Sequence, residues 1–419
     1  MKAVLSLAAP PGRILPQAGI QAFLRASLNP AVYDRRNVLL IIPDSTRSGP
    51  FHRLVRQILL ILNPLAKSVN ILIALGTHPA MSPAQINKFL KISASDRRGA
   101  YRNVKIFNHE WRRKGSLKRI GVLDPETVRR LTRGLFCESV PVEINRRIFD
   151  YDRILVLGPV FPHEVVGFSG GWKYFFPGIC GPGFLNFFHW LGALITNVKV
   201  NGVIATPVRS VIHEAAKFVT QPTRLIALDI HGGDVSAIYS GGMISAWSKA
   251  AERATKTHII TLRKRFKLVL GIARPQYDDL WTAGKVMYKL ESIVEDGGEL
   301  IIYAPHVTEV SYTHGKVLDR IGYHVRDYFL KQMSKFRGVP RGVMAHSTHV
   351  RGAGTFEGGI EKPRITVTLA TGISEKRCRK INLGFRDWKN LHIKSFEGRE
   401  NEGILVAGNA GETLYRRGT

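Results

Sequence analysis

The sequence predicts an α/β fold built as two α/β domains with mainly parallel sheets. Three observations carry that expectation. Short, wholly apolar runs alternate with segments of helical period; most of the early runs end in polar or glycine-containing turns; and the residues with chemical potential gather at those ends. Asn37 to Pro43 (NVLLIIP) is a run of the buried-strand kind, and it stops at Asp44-Ser45-Thr46-Arg47, whose polar side chains suit a turn and a helix N-cap. Phe51 to Leu62 then sets Leu54, Ile58, Leu59 and Leu62 on one helical face. A second unit repeats the pattern: Val69 to Leu75 as strand, Gly76-Thr77-His78-Pro79 as turn, and Ser82 to Leu90 as helix, with Ser82 capping and Pro83 at its first position. Arg153 to Leu157 runs into Gly158-Pro159 in the same manner. Further strands are expected at Leu225 to Leu228, His258 to Thr261, Lys267 to Leu270, Glu299 to Tyr303 and Ile365 to Leu369. Alternation of this sort makes parallel sheet, with ligand groups at the carboxyl ends of strands. A boundary falls near Leu262 to Pro275, giving a domain of residues 1–262 and another of 263–419. The last strand-like stretch, Gly403 to Gly408, can return to the first domain, since chain ends often lie close together.

Composition narrows the classes. The chain has 419 residues, 44% hydrophobic and 22% charged, which excludes a mainly disordered protein. Cys137, Cys180 and Cys378 are too few and too scattered for a disulfide scaffold, and they form no CxxC pair. The most apolar stretch, Phe184 to Ala205, is broken by Asn186, His189, Asn197, Lys199 and Asn201, so no membrane span is expected. The apolar run Ala3 to Pro10 only faintly imitates a signal peptide, and the expected location is the cytoplasm. The net charge of +29 is the abnormal quantity; it favours anionic partners, yet it is spread in short clusters without any nucleic-acid-binding signature. No specific nucleic acid and no membrane are expected as partners.

The densest signal is residues 159–190, PVFPHEVVGFSGGWKYFFPGICGPGFLNFFHW. Gly167, Gly170 and Gly171, with Ser169 among them, allow the backbone to approach a ligand and offer amides to an anion. Lys173 follows as a cation or nucleophilic amine. His163 and His189 flank it, ten residues before and sixteen after. This is no nucleotide-hydrolase phosphate loop, because Tyr174 rather than Ser or Thr follows the lysine. Two strand ends add to it. Arg47 can clamp a carboxylate in two-pronged fashion, while Asp44 can orient a hydroxyl or ribose. His78 can serve as acid or base near neutral pH.

Taken together, DSTR at Asp44 to Arg47, GTHP at Gly76 to Pro79, HEVVGFSGGWKYFFPG at His163 to Gly178 and the later His189 resemble the nickel-dependent lactate racemase family. The likeness extends to LWTAGK at Leu280 to Lys285 and so spans most of the chain. It implies a racemase or epimerase that inverts C2 of a 2-hydroxy acid by hydride transfer, with the cofactor site in the cleft between the two domains. It also implies a nickel-pincer nucleotide (pyridinium-3,5-bisthiocarboxylic acid mononucleotide nickel) attached covalently to Lys173, with His189 as the nickel ligand. His78 and His163 match the catalytic acid/base pair. Arg47 and Lys285 match cations able to hold the substrate carboxylate, and Asp44, Thr46, Arg47, Ser169, Gly170 and Gly171 match the cofactor surroundings. The partners so implied are a small 2-hydroxy acid and the enzymes that make the cofactor.

One position departs from the lactate-active pattern: Thr282 stands where those members carry glutamine, three residues before Lys285. The aromatic run Trp172 to Phe176 and the histidines His306, His314, His346 and His349 are further peculiarities. They point to a substrate other than lactate, such as a longer, hydroxylated acid. Two other classes remain open on sequence: a zinc-dependent hydrolase, for which His346-Ser347-Thr348-His349 offers only a pair of ligands, and a non-enzymatic polyanion binder.

Overall fold

The structure, a computed structural model, describes residues 4–76 and 78–418. Thr77 of the GTHP turn and the start of the N-terminal apolar run lie outside them.

Seven strands make the first sheet: β1 (Leu5–Ala8), β2 (Asn37–Pro43), β3 (Ser68–Ala74), β4 (Ile106–Asn108), β5 (Arg153–Pro159), β6 (Thr223–His231) and β7 (Asp234–Gly241), in the order β1-β7-β6-β5-β2-β3-β4. From β6 through β4 every pairing is parallel. β7 and then β1 extend the other edge antiparallel, so the run that imitates a signal peptide contributes an edge strand. The unbroken apolar character of β2 follows from burial on both faces. Leu39 and Ile41 enter one core together with Ile154 and Val156. Leu40 and Ile42 enter the core on the opposite face with Leu155 and Leu157. That is the two-residue period of a pleated strand.

A short strand, β8 (Ile259–Leu262), leads into a second sheet of β9 (Phe266–Ala273), β10 (Val294–Ala304), β11 (Thr366–Thr371), β12 (Gly384–Phe385) and β13 (Ile404–Ala410). Its order is β12-β11-β10-β9-β13, all parallel. The stretch Gly403 to Gly408 therefore belongs to the second sheet, as its edge β13, and does not return to the first. Its residues Leu405 and Val406 register against Val269 and Leu270 of β9, a pairing that satisfies the free edge of an apolar strand. The reach back is made by β14 (Leu414–Arg417), which pairs in parallel with β8.

The helix α1 (Pro182–Ile195) explains the most apolar stretch of the sequence. Phe184, Leu185, Phe187, Phe188 and Leu191 pack into the first core, while Trp190 and Ala193 pack into the second. A helix covered on both sides has no need of a polar face. No helix among the described residues is long and apolar enough to cross a membrane. Against α1 lies α2 (Arg341–Arg351), where Gly342 donates its amide to Asn186 Oδ1 at 2.9 Å. A Cβ at Gly342 would stand 2.9 Å from that oxygen, so glycine sets the close approach of the two helices.

Candidate active site

β2, β3 and β5 are neighbours in one parallel sheet, so their carboxyl ends open side by side on one rim. The loops leaving them line a solvent-open cleft of about 1020 Å³, which also takes residues from helices of the second sheet. From β2 come Asp44 and Arg47; from β3, Gly76 and His78; from the segment after β5, His163, Glu164, Ser169, Gly170 and Lys173; from α1, His189. The facing wall is Trp281, Thr282, Lys285, Tyr288, His346 and His349. The structure thus brings together His78, His163, Arg47, Lys285, Lys173, Asp44, Ser169, Gly170 and His189. Thr46 and Gly171 are the two expected site residues that stand off the wall.

Their work is local. Thr46 donates its amide and its hydroxyl to Asp44 Oδ1, at 3.0 and 2.6 Å. Asp44 Oδ2 is then free to pair closely with His78 Nδ1. Burial alone would raise the Asp44 carboxyl, but the charge and hydrogen bond of His78, helped by Thr46 and Arg47, hold it well below the usual carboxylate range. A carboxylate on Nδ1 fixes the proton there and leaves Nε2 as the basic nitrogen.

The glycine segment is a scaffold as much as a cradle. Gly170 and Gly171 sit at φ +79 and +60; Cβ atoms there would come 2.7 Å from Val160 Cγ2 and 2.9 Å from Trp247 Cγ. Ser169 ties the loop down: its hydroxyl donates to Pro159 O at 3.2 Å and accepts from the Phe161 amide at 2.9 Å. Beneath it lies Arg209, a residue that sequence reasoning missed. It is buried, donates to the carbonyls of Phe168 and Gly170, and stacks 4.2 Å over Trp247. One turn of 3₁₀ helix, Gly171–Tyr174, then presents Lys173. Of the aromatic run Trp172 to Phe176, only Tyr174 lines the cleft; Phe175 and Phe176 are core.

Electrostatically the cleft is a concentration of buried cations. Burial first, and then Arg47, push the Lys173 ammonium down to about 7. The same two causes bring Lys285 to about 8. Lys289, also unanticipated, is buried behind the cleft, donates to Pro162 O, and is pushed to about 7 chiefly by burial. Lys285 Nζ has no hydrogen-bond partner among the described residues and rests 4.7 Å from the Tyr277 ring centroid. Unpaired buried ammonium groups are costly, so the arrangement suits an anionic ligand.

The histidines divide by their partners. His163 is held well below its ordinary value by burial and by Lys173, Arg47 and Lys289. Its Nδ1 accepts the Val165 amide at 3.2 Å in the neutral ring, which places the proton on Nε2, and lies 3.3 Å from Glu164 Oε2, which it can pair with when protonated. His189 donates Nδ1–H to Leu185 O at 2.8 Å, leaving the Nε2 lone pair free, and burial lowers it to about 3. His346 has both nitrogens engaged, by Tyr288 at 2.8 Å and Tyr323 at 3.3 Å. His306 lies away from the cleft wall, with Nε2 on Tyr277 O at 3.0 Å. Thr282 returns its hydroxyl to Asp279, at 3.0 Å from the carbonyl and 2.9 Å from Oδ1, so it gives the cleft space more than a polar group. Among the described residues no three His, Cys, Asp or Glu side chains converge as a metal set, which leaves the zinc reading without a ligand cage.

Two α/β units with mainly parallel sheets that share a cationic, histidine-lined cleft define a small-molecule enzyme class. Residues 13–200 match the family of the lactate racemase N-terminal domain. The crystal structure of a Thermotoga maritima protein superposes with a TM-score of 0.89 at 30% identity, covering 98% of this chain and 100% of that one. The lactate racemase apoprotein of Thermoanaerobacterium thermosaccharolyticum shares the fold, with a TM-score of 0.70 at 19% identity over 95% of this chain and 93% of that one. No curated protein sequence matches. The chain belongs to the lactate racemase family.

Proposed function

We propose that this racemase-family protein inverts C2 of a 2-hydroxy acid, using a nickel-pincer nucleotide carried by Lys173. The observation that carries the reading is the pairing of two differently prepared histidines, His78 and His163, with buried cations in one cleft. The residues fit the implied group on three counts. Lys173 is a cleft amine poised to be neutral near pH 7. His189 keeps its Nε2 lone pair, a nitrogen donor suited to nickel. Lys285 supplies an unpartnered buried charge for an anion. When bound, the group would supply a hydride acceptor, so that C2 is oxidised without forming a carbanion beside a carboxylate.

The chain's own residues do the rest. Arg47 and Lys285 hold the substrate carboxylate and fix C2. His78, its Nδ1 on Asp44, takes the hydroxyl proton at Nε2. His163 faces the same cleft and gives a proton from Nε2 where His78 takes one once it is imidazolium, a state that Glu164 Oε2, 3.3 Å from Nδ1, supports. With Lys173 joined to the nucleotide its charge no longer opposes a proton on His163, and a bound carboxylate offsets the repulsion from Arg47 and Lys289, raising its basicity when substrate is present.

The test is loss of optical purity of 2-hydroxy acids by protein co-produced with the cofactor-synthesis enzymes. Lys173→Ala is expected to abolish it. Full activity in Lys173→Ala overturns the proposal.

A further inference from the structure

Beside the cleft lies a second chamber, open to solvent on one side, and the two share His189, Trp281 and Gly342 as a common wall. The rest of the chamber is mostly apolar, with Trp111, Leu185, Val317 and Val343 among its walls. Its polar members are largely neutral or occupied. Asn186 Oδ1 already accepts the Gly342 amide at 2.9 Å. His314 is brought to about 4 by burial and by Arg112, so it is an uncharged ring at neutral pH, and it lies 4.7 Å from Trp281 at an interplanar angle of 38°. Arg112 is exposed and stacks 4.7 Å over Trp111.

We propose that this chamber is the side-chain subsite, receiving the C2 substituent of the hydroxy acid, and that the substituent it fits is an uncharged aromatic ring. The inference rests on the function proposed above for where the acid's carboxylate and C2 lie. With the carboxylate held at Arg47 and Lys285, the proposal directs the C2 substituent at the wall that cleft and chamber share, on its Trp281 and Gly342 side. A methyl group would leave it vacant. A polyhydroxylated chain would surrender water from several hydroxyls to mostly apolar walls, where His314 Nε2 is a buried nitrogen without a partner among the described residues. A ring meets Trp111, Trp281 and His314, which can pack on it edge or face. This departs from the hydroxylated substrate expected on sequence: of the polar groups behind that expectation, Thr282, His306 and His346 are committed to partners inside the protein, while His314 and His349 each keep one Nε2 without a partner among the described residues.

The experiment compares lactate, 3-phenyllactate and gluconate with the nickel-loaded full chain, by chiral chromatography. The expected kcat/KM for 3-phenyllactate exceeds that for the other two at least tenfold. Val317 is partly exposed, and Val317→Trp, filling the chamber, is expected to lower the 3-phenyllactate value at least tenfold, to leave lactate within twofold, and to keep the Lys173 adduct. Calorimetry on the apoprotein is expected to show 3-phenyllactate binding at least tenfold tighter than lactate, with the gap closing in Val317→Trp; Val317→Phe serves if the larger variant does not fold. A preference for gluconate or lactate overturns the inference, as does an equal effect of the substitution on all three acids. Loss of the adduct in Val317→Trp would put the nucleotide in the chamber and overturn it too. If loaded protein racemises no acid, the proposed function fails, and the calorimetric comparison still decides the chamber.

Discussion

Asp44 and His78 decide which imidazole nitrogen is left basic. Asn in place of Asp44 can donate from nitrogen or accept through oxygen, and it carries no charge to favour imidazolium. Asp44→Asn is therefore expected to lower kcat by roughly 10²–10⁴-fold while melting temperature and the Lys173 adduct stay unchanged; an unaltered kcat would show that the pair is not in the machinery. Lys173 makes a prediction that needs no cofactor. Its amine is protonated below about pH 7 and neutral above, so competitive acetylation followed by peptide mapping should give a midpoint near 7. Surface lysines should titrate near ~10.4. These residues were legible in sequence because each stands at the end of an apolar run or inside the glycine segment. Arg209 and Lys289 were not, since a lone basic residue in a helix reads as solvated surface until the fold buries it.

At the scale of elements, the parallel strands were legible and the rims between them were not. β2, β3 and β5 show as apolar runs because both faces of the first sheet are covered. The short hairpin Pro162–His163 with Gly167–Phe168 has two residues per strand, too few for any period to register. Yet it sets His163 in place, and Gly167 is its hinge: at φ +87, a Cβ there would fall 1.8 Å from Val203 O. The obstacle is backbone and cannot rotate away. Gly167→Ala is expected to cost about 2–4 kcal/mol in denaturant unfolding, combining backbone strain with displacement of Val203. A loss under ~0.5 kcal/mol would mean that the loop yields freely. α1 gave a strong but ambiguous signal, since a helix between two cores and a membrane segment are both apolar all round.

Across the whole molecule, the cleft concentrates charge that folding alone does not favour. Lys285 is buried and unpartnered, with its ammonium lowered to about 8. Below pH 8 the folded apoprotein bears the full penalty of that charge; between 8 and ~10.4 the penalty fades as only the unfolded chain keeps its proton. Lys285→Met is thus expected to stabilise the apoprotein at pH 7 by on the order of 1–3 kcal/mol, a gain that shrinks as pH rises toward 10, while abolishing turnover. Destabilisation at pH 7 would show that Lys285 has a partner in solution. The facing wall was the least legible part of the site in sequence. His346 and His349 looked like ligands there, whereas the fold gives both nitrogens of His346 to Tyr288 and Tyr323, residues 58 and 23 positions away. Contacts of that range leave no local pattern.

In the proposed reaction Lys173 carries the catalytic group and His189 holds its metal. The most direct measurement is intact-mass spectrometry with peptide mapping and metal analysis, on protein co-produced with the cofactor-synthesis enzymes. The expected result is a nucleotide-sized adduct on the peptide containing Lys173, about one nickel per chain, and loss of the metal but not the fold in His189→Ala. An unmodified Lys173 without nickel, under conditions that load another member of the family, would contradict it.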